Sequence, residues 1–139
     1  ASESDCIALR EFGTNIGIGF QLKDDLLDAY GDPRRFGKQV GGDIIANKKT
    51  FLLITALEKA RGKQKRELAD WISAKKFRKQ TKVKAVRSLY DSLEIPVLAE
   101  KKIQQFFKKG FNNMSALTCN ENGIKMLKAF TKTLIARQA

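Results

Sequence analysis

Apolar residues in this chain recur every three or four positions, and no stretch holds the two-residue alternation of a strand. Leu9, Phe12, Ile16 and Phe20 set the pattern on a first helix expected from about Asp5 to Tyr30, with Ser4 as its cap. Gly13, Gly17 and Gly19 weaken that helix, by roughly 1 kcal/mol each against alanine, and suggest close approach of another helix or a ligand. Gly31-Asp32-Pro33 ends it, and a glycine-rich loop follows to Gly42 with Arg34, Arg35 and Lys38. Asn47 reads as the N-cap of a second helix, Lys48 to Arg61, closed by Gly62. Its apolar face is Phe51, Leu52, Ile54, Leu57 and Ala60.

Further helices are expected over Lys63 to Lys76, Lys82 to Leu93 with Thr81 as cap, Pro96 towards Leu117, and Glu121 to Arg137. Pro96 suits a first helical turn, and Gly110 is a place where the fifth helix could bend. The fold class is therefore all-α, about six helices, with no linker or internal repeat to divide residues 1–139.

With no histidine in 139 residues, a Ser-His-Asp or Cys-His nucleophile, an imidazole base and a His-containing metal site are all excluded. Cys6 and Cys119 are far apart and read as a reduced pair. The longest apolar run, Phe51 to Ile54, is too short to span a bilayer, and no signal segment opens the chain. A cytoplasmic location is the expectation. Because the chain starts at Ala1, it reads as processed or as a fragment.

Residues 1–58 carry 7 basic and 9 acidic side chains, whereas residues 59–139 carry 20 basic and 6 acidic. The second part could face nucleic acid or a membrane, or could simply be solvated helix surface. No helix-turn-helix punctuation, zinc spacing or RNA-binding aromatic motif supports a nucleic-acid partner, so none is expected.

Asp24-Asp25-Leu26-Leu27-Asp28 is the sharpest local feature. At roughly 100° per residue the three carboxylates share about a third of the helix circumference, with Asp24 and Asp28 at i and i+4. Like charges at that spacing repel, and the C-terminal end of the helix dipole disfavours them further. A cation offsetting both costs would find oxygen donors only, which suits Mg²⁺, with Mn²⁺ the alternative. A solvated acidic turn is the plain alternative. Gln21 lies on almost the same face, and Phe20 abuts it.

The run Gly19-Phe20-Gln21-Leu22-Lys23-Asp24-Asp25-Leu26-Leu27-Asp28-Ala29-Tyr30-Gly31-Asp32 resembles the second aspartate-rich region of trans-isoprenyl diphosphate synthases, the polyprenyl synthetase family. The resemblance continues through Phe36-Gly37-Lys38-Gln39-Val40-Gly41-Gly42-Asp43 to Asn47-Lys48-Lys49-Thr50, a metal and diphosphate region over residues 17–58. Residues 59–139 resemble the family's C-terminal helices only in pattern.

The resemblance implies the C-terminal portion of the isoprenoid synthase helical bundle. It implies a prenyltransferase that condenses isopentenyl diphosphate with an allylic diphosphate, a homodimer when full length. Asp24, Asp25 and Asp28 would hold Mg²⁺ against the allylic diphosphate, with Asp24 the direct ligand. Lys38 would contact the same diphosphate. Phe20 and Gln21 would face the allylic chain and the reacting centre. Lys48 and Thr50 match a motif at the next helix start, where a structural role is equally open. Asp43 would order the loop, and Arg34 and Arg35 have no firm counterpart.

The family's first aspartate-rich motif, the arginines after it and the upstream isopentenyl diphosphate residues have no match here, Asp5 standing alone before residue 20. The expectation is a C-terminal fragment inactive by itself. A non-catalytic partner subunit and a basic nucleic-acid-binding module are the alternatives.

Overall fold

A computed structural model describes residues 2–31, 40–118 and 121–137. Among them are seven helices and no strand: α1 Glu3–Tyr30, α2 Gly42–Ile45, α3 Phe51–Lys59, α4 Gly62–Ser73, α5 Lys79–Ser92, α6 Ile95–Ser115 and α7 Glu121–Arg137. The all-α expectation holds, and the helix beyond the six expected is the single turn α2. No helix among the described residues is long and apolar enough to cross a membrane. Cys6 is a free, exposed thiol, and Cys119 lies outside the described residues.

The chain forms two compact units, residues 1–23 with 101–139 and residues 24–100, so the division falls within α1 and within α6. In the first unit the buried stripe of α1 is Asp5, Ala8, Phe12, Ile16 and Gly19. This corrects the expected stripe: Leu9 is 37% exposed and Phe20 half-buried, one residue off the i+3/i+4 track. Ile103, Phe107 and Met114 of α6 are buried on their side. A Cβ added at Gly19 would lie 2.5 Å from the Phe107 ring, and one at Gly110 would lie 2.6 Å from Ile16 Cδ1. Close approach therefore explains Gly19, whereas Gly13 and Gly17 face open space. Gly110 serves the same packing within an unbroken α6.

Polar contacts fix this unit. Asn15 Nδ2 donates to Asn113 Oδ1 at 2.7 Å, and Asn113 Nδ2 donates to Glu11 Oε2 at 3.1 Å. The buried Asp5 carboxylate accepts from the Thr118 amide at 2.9 Å and from the Thr118 hydroxyl at 3.0 Å. The Thr118 amide holds the Asp5 carboxyl below its ordinary range, and partial desolvation opposes it.

In the second unit α2, α3 and α4 all pack on α5. Val83, Val86, Leu89 and Tyr90 of α5 are buried against Leu52, Leu53 and Ala56 of α3 and Leu68 of α4, within one cluster that also takes Ile95 and Ala99. Ile54 and Leu57, expected on the buried face of α3, are 45% and 38% exposed. Leu53 and Ala56 take their place, and the helix begins three residues later than expected. Thr50 is the N-cap: its hydroxyl accepts from the Leu53 amide at 3.2 Å. Asn47 instead adopts φ 54°, in the left-handed region, three residues before the cap.

Candidate functional site

The chain from Gly41 to Thr50 folds back on the end of α1. Gly41 takes φ 91°, a conformation that favours glycine, and its amide donates to the Asp28 carbonyl at 2.6 Å. A Cβ there would meet the two methyl carbons of Val83 at 2.5 and 2.6 Å, so the backbone lies directly on α5. The next turn, α2, brings the Asp43 amide to 2.8 Å from Asp28 Oδ2.

The three aspartates of α1 consequently have different surroundings. Asp25 is buried, and its Oδ1 lies 3.9 Å from Lys48 Nζ. Asp28 is half-buried and accepts the Asp43 amide. Asp24 is exposed, and it forms no hydrogen bond or ion pair among the described residues. Lys48 also stands 3.9 Å from Asp43 Oδ2. Burial pushes the Asp43 carboxyl up and the Asp28 charge adds to this, with Lys48 pulling the other way. Both Lys48 pairs are long and the lysine is 54% exposed, so each contributes well under about 1 kcal/mol to stability.

Of the residues singled out in the sequence, the fold joins Asp25, Asp28, Asp43 and Lys48 around one turn. Lys48 lies in the turn before α3 rather than on it, and Thr50 has a structural role as cap. Phe20 and Gln21 belong to the first unit, where the Phe20 ring meets the Phe107 ring edge-on at 5.5 Å and Gln21 is exposed. Lys38, Arg34 and Arg35 lie outside the described residues.

A divalent cation fits the donors in kind. Asp24 offers an exposed carboxylate free to exchange water for a hard cation, one helical turn before Asp28. Among the described residues no three carboxylate or thiol side chains stand together as a finished cation cage. That is compatible with Mg²⁺, which is commonly held by one or two carboxylates plus water and phosphate oxygens.

Two residues of this region escaped the sequence reading in the role they play. Lys82 of α5 is buried, and its Nζ donates to Asn47 Oδ1 at 2.6 Å. Asn47 Nδ2 donates in turn to the Ile72 carbonyl at 3.0 Å. The available signal was periodicity: Lys82 lies one turn before Val86 on the stripe that continues through Leu89 and Leu93, so its Cβ had to point inward.

Comparisons with known proteins bear on the family and the fold. The family profile for polyprenyl synthetase matches residues 1–90. The short chain isoprenyl diphosphate synthase of Methanocaldococcus jannaschii is 36% identical over 93 residues, covering 67% of this chain and 28% of that protein. The farnesyl pyrophosphate synthase of Zea mays is 34% identical over 123 residues, covering 88% of this chain and 34% of that protein. A crystal structure of a geranylgeranyl pyrophosphate synthase superimposes with a TM-score of 0.85 at 30% identity, over 100% of this chain and 43% of the other. Another, from Corynebacterium glutamicum and complexed with isoprenyl diphosphate and magnesium, gives 0.82 at 27% identity over 94% and 37%. The chain thus spans about a third of the length of the two curated relatives. With the profile covering well over half of its residues and the helices matching throughout, this chain belongs to the polyprenyl synthetase family.

Proposed function

We propose that residues 17–58 supply the second aspartate-rich half of a prenyltransferase site, which condenses isopentenyl diphosphate with an allylic diphosphate. The observation that carries this reading is the division of labour in Asp24-Asp25-Leu26-Leu27-Asp28. Asp25 and Asp28 are engaged by the turn from Asp43 to Lys48, while Asp24 is left exposed. The relatives' names supply the substrate class, and the Corynebacterium structure, complexed with isoprenyl diphosphate and magnesium, supports both ligands.

Mg²⁺, when bound, would neutralise charge on the departing diphosphate. The chain's own residues would do the rest. Asp24 would offer the carboxylate that ligates the cation. Asp28, held by the Asp43 amide, would be fixed one turn beyond it. Lys48, with Lys38, would add positive charge on the diphosphate side, where charge develops as the allylic C–O bond breaks. The isopentenyl double bond then attacks the allylic carbon, and the proton lost from the product leaves to the released diphosphate. No histidine base is required. Phe20 and Gln21 would face the allylic chain.

The 139 residues contain one such carboxylate motif, and we expect no turnover from them alone. The reading also carries the family's homodimer. The test sets Asp24→Ala in a complete polyprenyl synthetase domain that contains these residues. Turnover of isopentenyl with geranyl diphosphate should fall by about a hundredfold or more, because the lost charge compensation acts in the transition state. A loss below about tenfold would remove Asp24 from the metal role. Turnover by the 139-residue chain alone would overturn the half-site reading.

A further inference from the structure

Lys82 is 1% exposed and forms no salt bridge among the described residues. Burying an ammonium without a carboxylate is unfavourable, and burial pulls this one below the usual lysine range. Its contacts are Asn47 Oδ1 at 2.6 Å, the Ile45 carbonyl at 3.4 Å and the Phe77 ring at 4.4 Å. The two oxygen acceptors lie at the last residue of α2 and in the turn after it. Anchoring α5 does not require the charge, since Val83, Val86, Leu89 and Tyr90 already bury that helix.

What the ammonium does hold is Asn47. That side chain is clamped at both ends, by Lys82 at its carbonyl and by the Ile72 carbonyl at its amide, and its backbone stays at φ 54°. A left-handed asparagine is accessible but not preferred, so side-chain bonds of this kind select it. The next residue is Lys48, whose amide donates to the Asp43 carbonyl at 2.9 Å and whose ammonium lies 3.9 Å from both Asp25 and Asp43.

We infer that Lys82 is a positioning residue: through Asn47 it fixes the turn from Asp43 to Lys48, so that the Asp43 amide and the Lys48 ammonium face Asp28 and Asp25. It rests on the proposed function only in taking that turn to serve a diphosphate.

The experiment replaces Lys82 by methionine in the 139-residue chain and follows amide hydrogen exchange residue by residue. A hydrophobic stem in place of a buried charge leaves global stability unchanged or raised, so a packing role and a positioning role give opposite results. The expected outcome is exchange about tenfold faster or more at Asp43, Asn47, Lys48 and Thr50, with the amides of α5 and α6 protected as before. Unchanged turn amides, or a uniform increase across residues 24–100, would overturn it. Should Lys82→Met fail to fold, Asn47→Gly tests the same link, because glycine keeps the backbone accessible and removes the clamp. A second arm adds inorganic diphosphate with Mg²⁺ to the wild-type chain. Slower turn exchange on addition would support the ligand role of the turn. Faster exchange in Lys82→Met without any effect of diphosphate would count for Lys82 and against the diphosphate reading.

Discussion

Replacing Gly41 by alanine tests how the loop after α1 is seated. Two costs arise. At φ 91° an L side chain meets its own backbone, worth about 1–2 kcal/mol. Its Cβ would also fall 2.5 and 2.6 Å from the two γ-carbons of Val83 and 3.1 Å from the Val83 Cβ. Valine in a helix has one strongly preferred rotamer, and both methyls are already in the way, so rotation gives no relief. Overpacking of this kind costs about 1–3 kcal/mol. Together the loss is about 2–5 kcal/mol, a large share of the roughly 5–15 kcal/mol that holds a domain folded. Gly42→Ala is the control. Its nearest neighbour would be Asp28 Oδ1 at 3.6 Å, an ordinary contact, and its φ is not positive, so the change should stay within about 1 kcal/mol of zero.

Urea unfolding followed by Trp71 fluorescence reads this directly. Trp71 is the chain's one tryptophan and packs against the core of residues 24–100. Gly41→Ala should lower the midpoint by roughly 1–2.5 M at a slope of about 2 kcal/mol per M. Adding Val83→Ala should return the overlap part but not the backbone part, giving a coupling energy of about 1–3 kcal/mol. A Gly41→Ala protein as stable as Gly42→Ala, or a double variant showing no coupling, would refute the seating of the loop on α5.

Two further outcomes are expected. Thr50→Ala removes the oxygen that accepts the Leu53 amide and should cost about 1–2 kcal/mol in the same unfolding assay, while Thr50→Ser should stay near wild type. Asp5 is held below its ordinary carboxyl value of 3.8 first by the Thr118 amide, against partial desolvation. Its contribution is therefore fully present above that value and is lost as pH falls through the lower, folded one, so the Thr118 amide resonance should titrate with a midpoint below 3.8, and a midpoint at or above it would refute the contact.

Period and punctuation carried most of the fold. The bounds of α7 agree with the sequence reading, because a sustained i+3/i+4 repeat marks a helix clearly. The late start of α3 has one cause. Asn47 and Thr50 are both good N-cap types, and local propensity does not tell them apart. Tertiary contacts decide: Asn47 is held in the left-handed region by Lys82 and Ile72, which leaves Thr50 to start α3. Of the candidate site, the residue types and their order were legible. That Lys48 and the Asp43 amide meet Asp25 and Asp28 depended on where α5 lies beneath the turn, and no local pattern encodes it.

Three carboxylates near a helix C-terminus carry mutual repulsion and an unfavourable dipole, and the sequence alone suggests a cation to offset the whole of it. The fold divides that cost. Lys48 lies beside Asp25 and the Asp43 amide bonds Asp28, so two of the three charges have partners from the chain itself. Only Asp24 is left to solvent among the described residues. Its charge adds repulsion to the folded chain, and among the described residues no side-chain contact offsets it. A bound cation is the partner that would. On the proposed reading Asp24 is where a ligand role would separate from a structural one: removing Asp28 takes away the acceptor of the Asp43 amide and should loosen the turn, whereas Asp24→Ala should leave the turn intact.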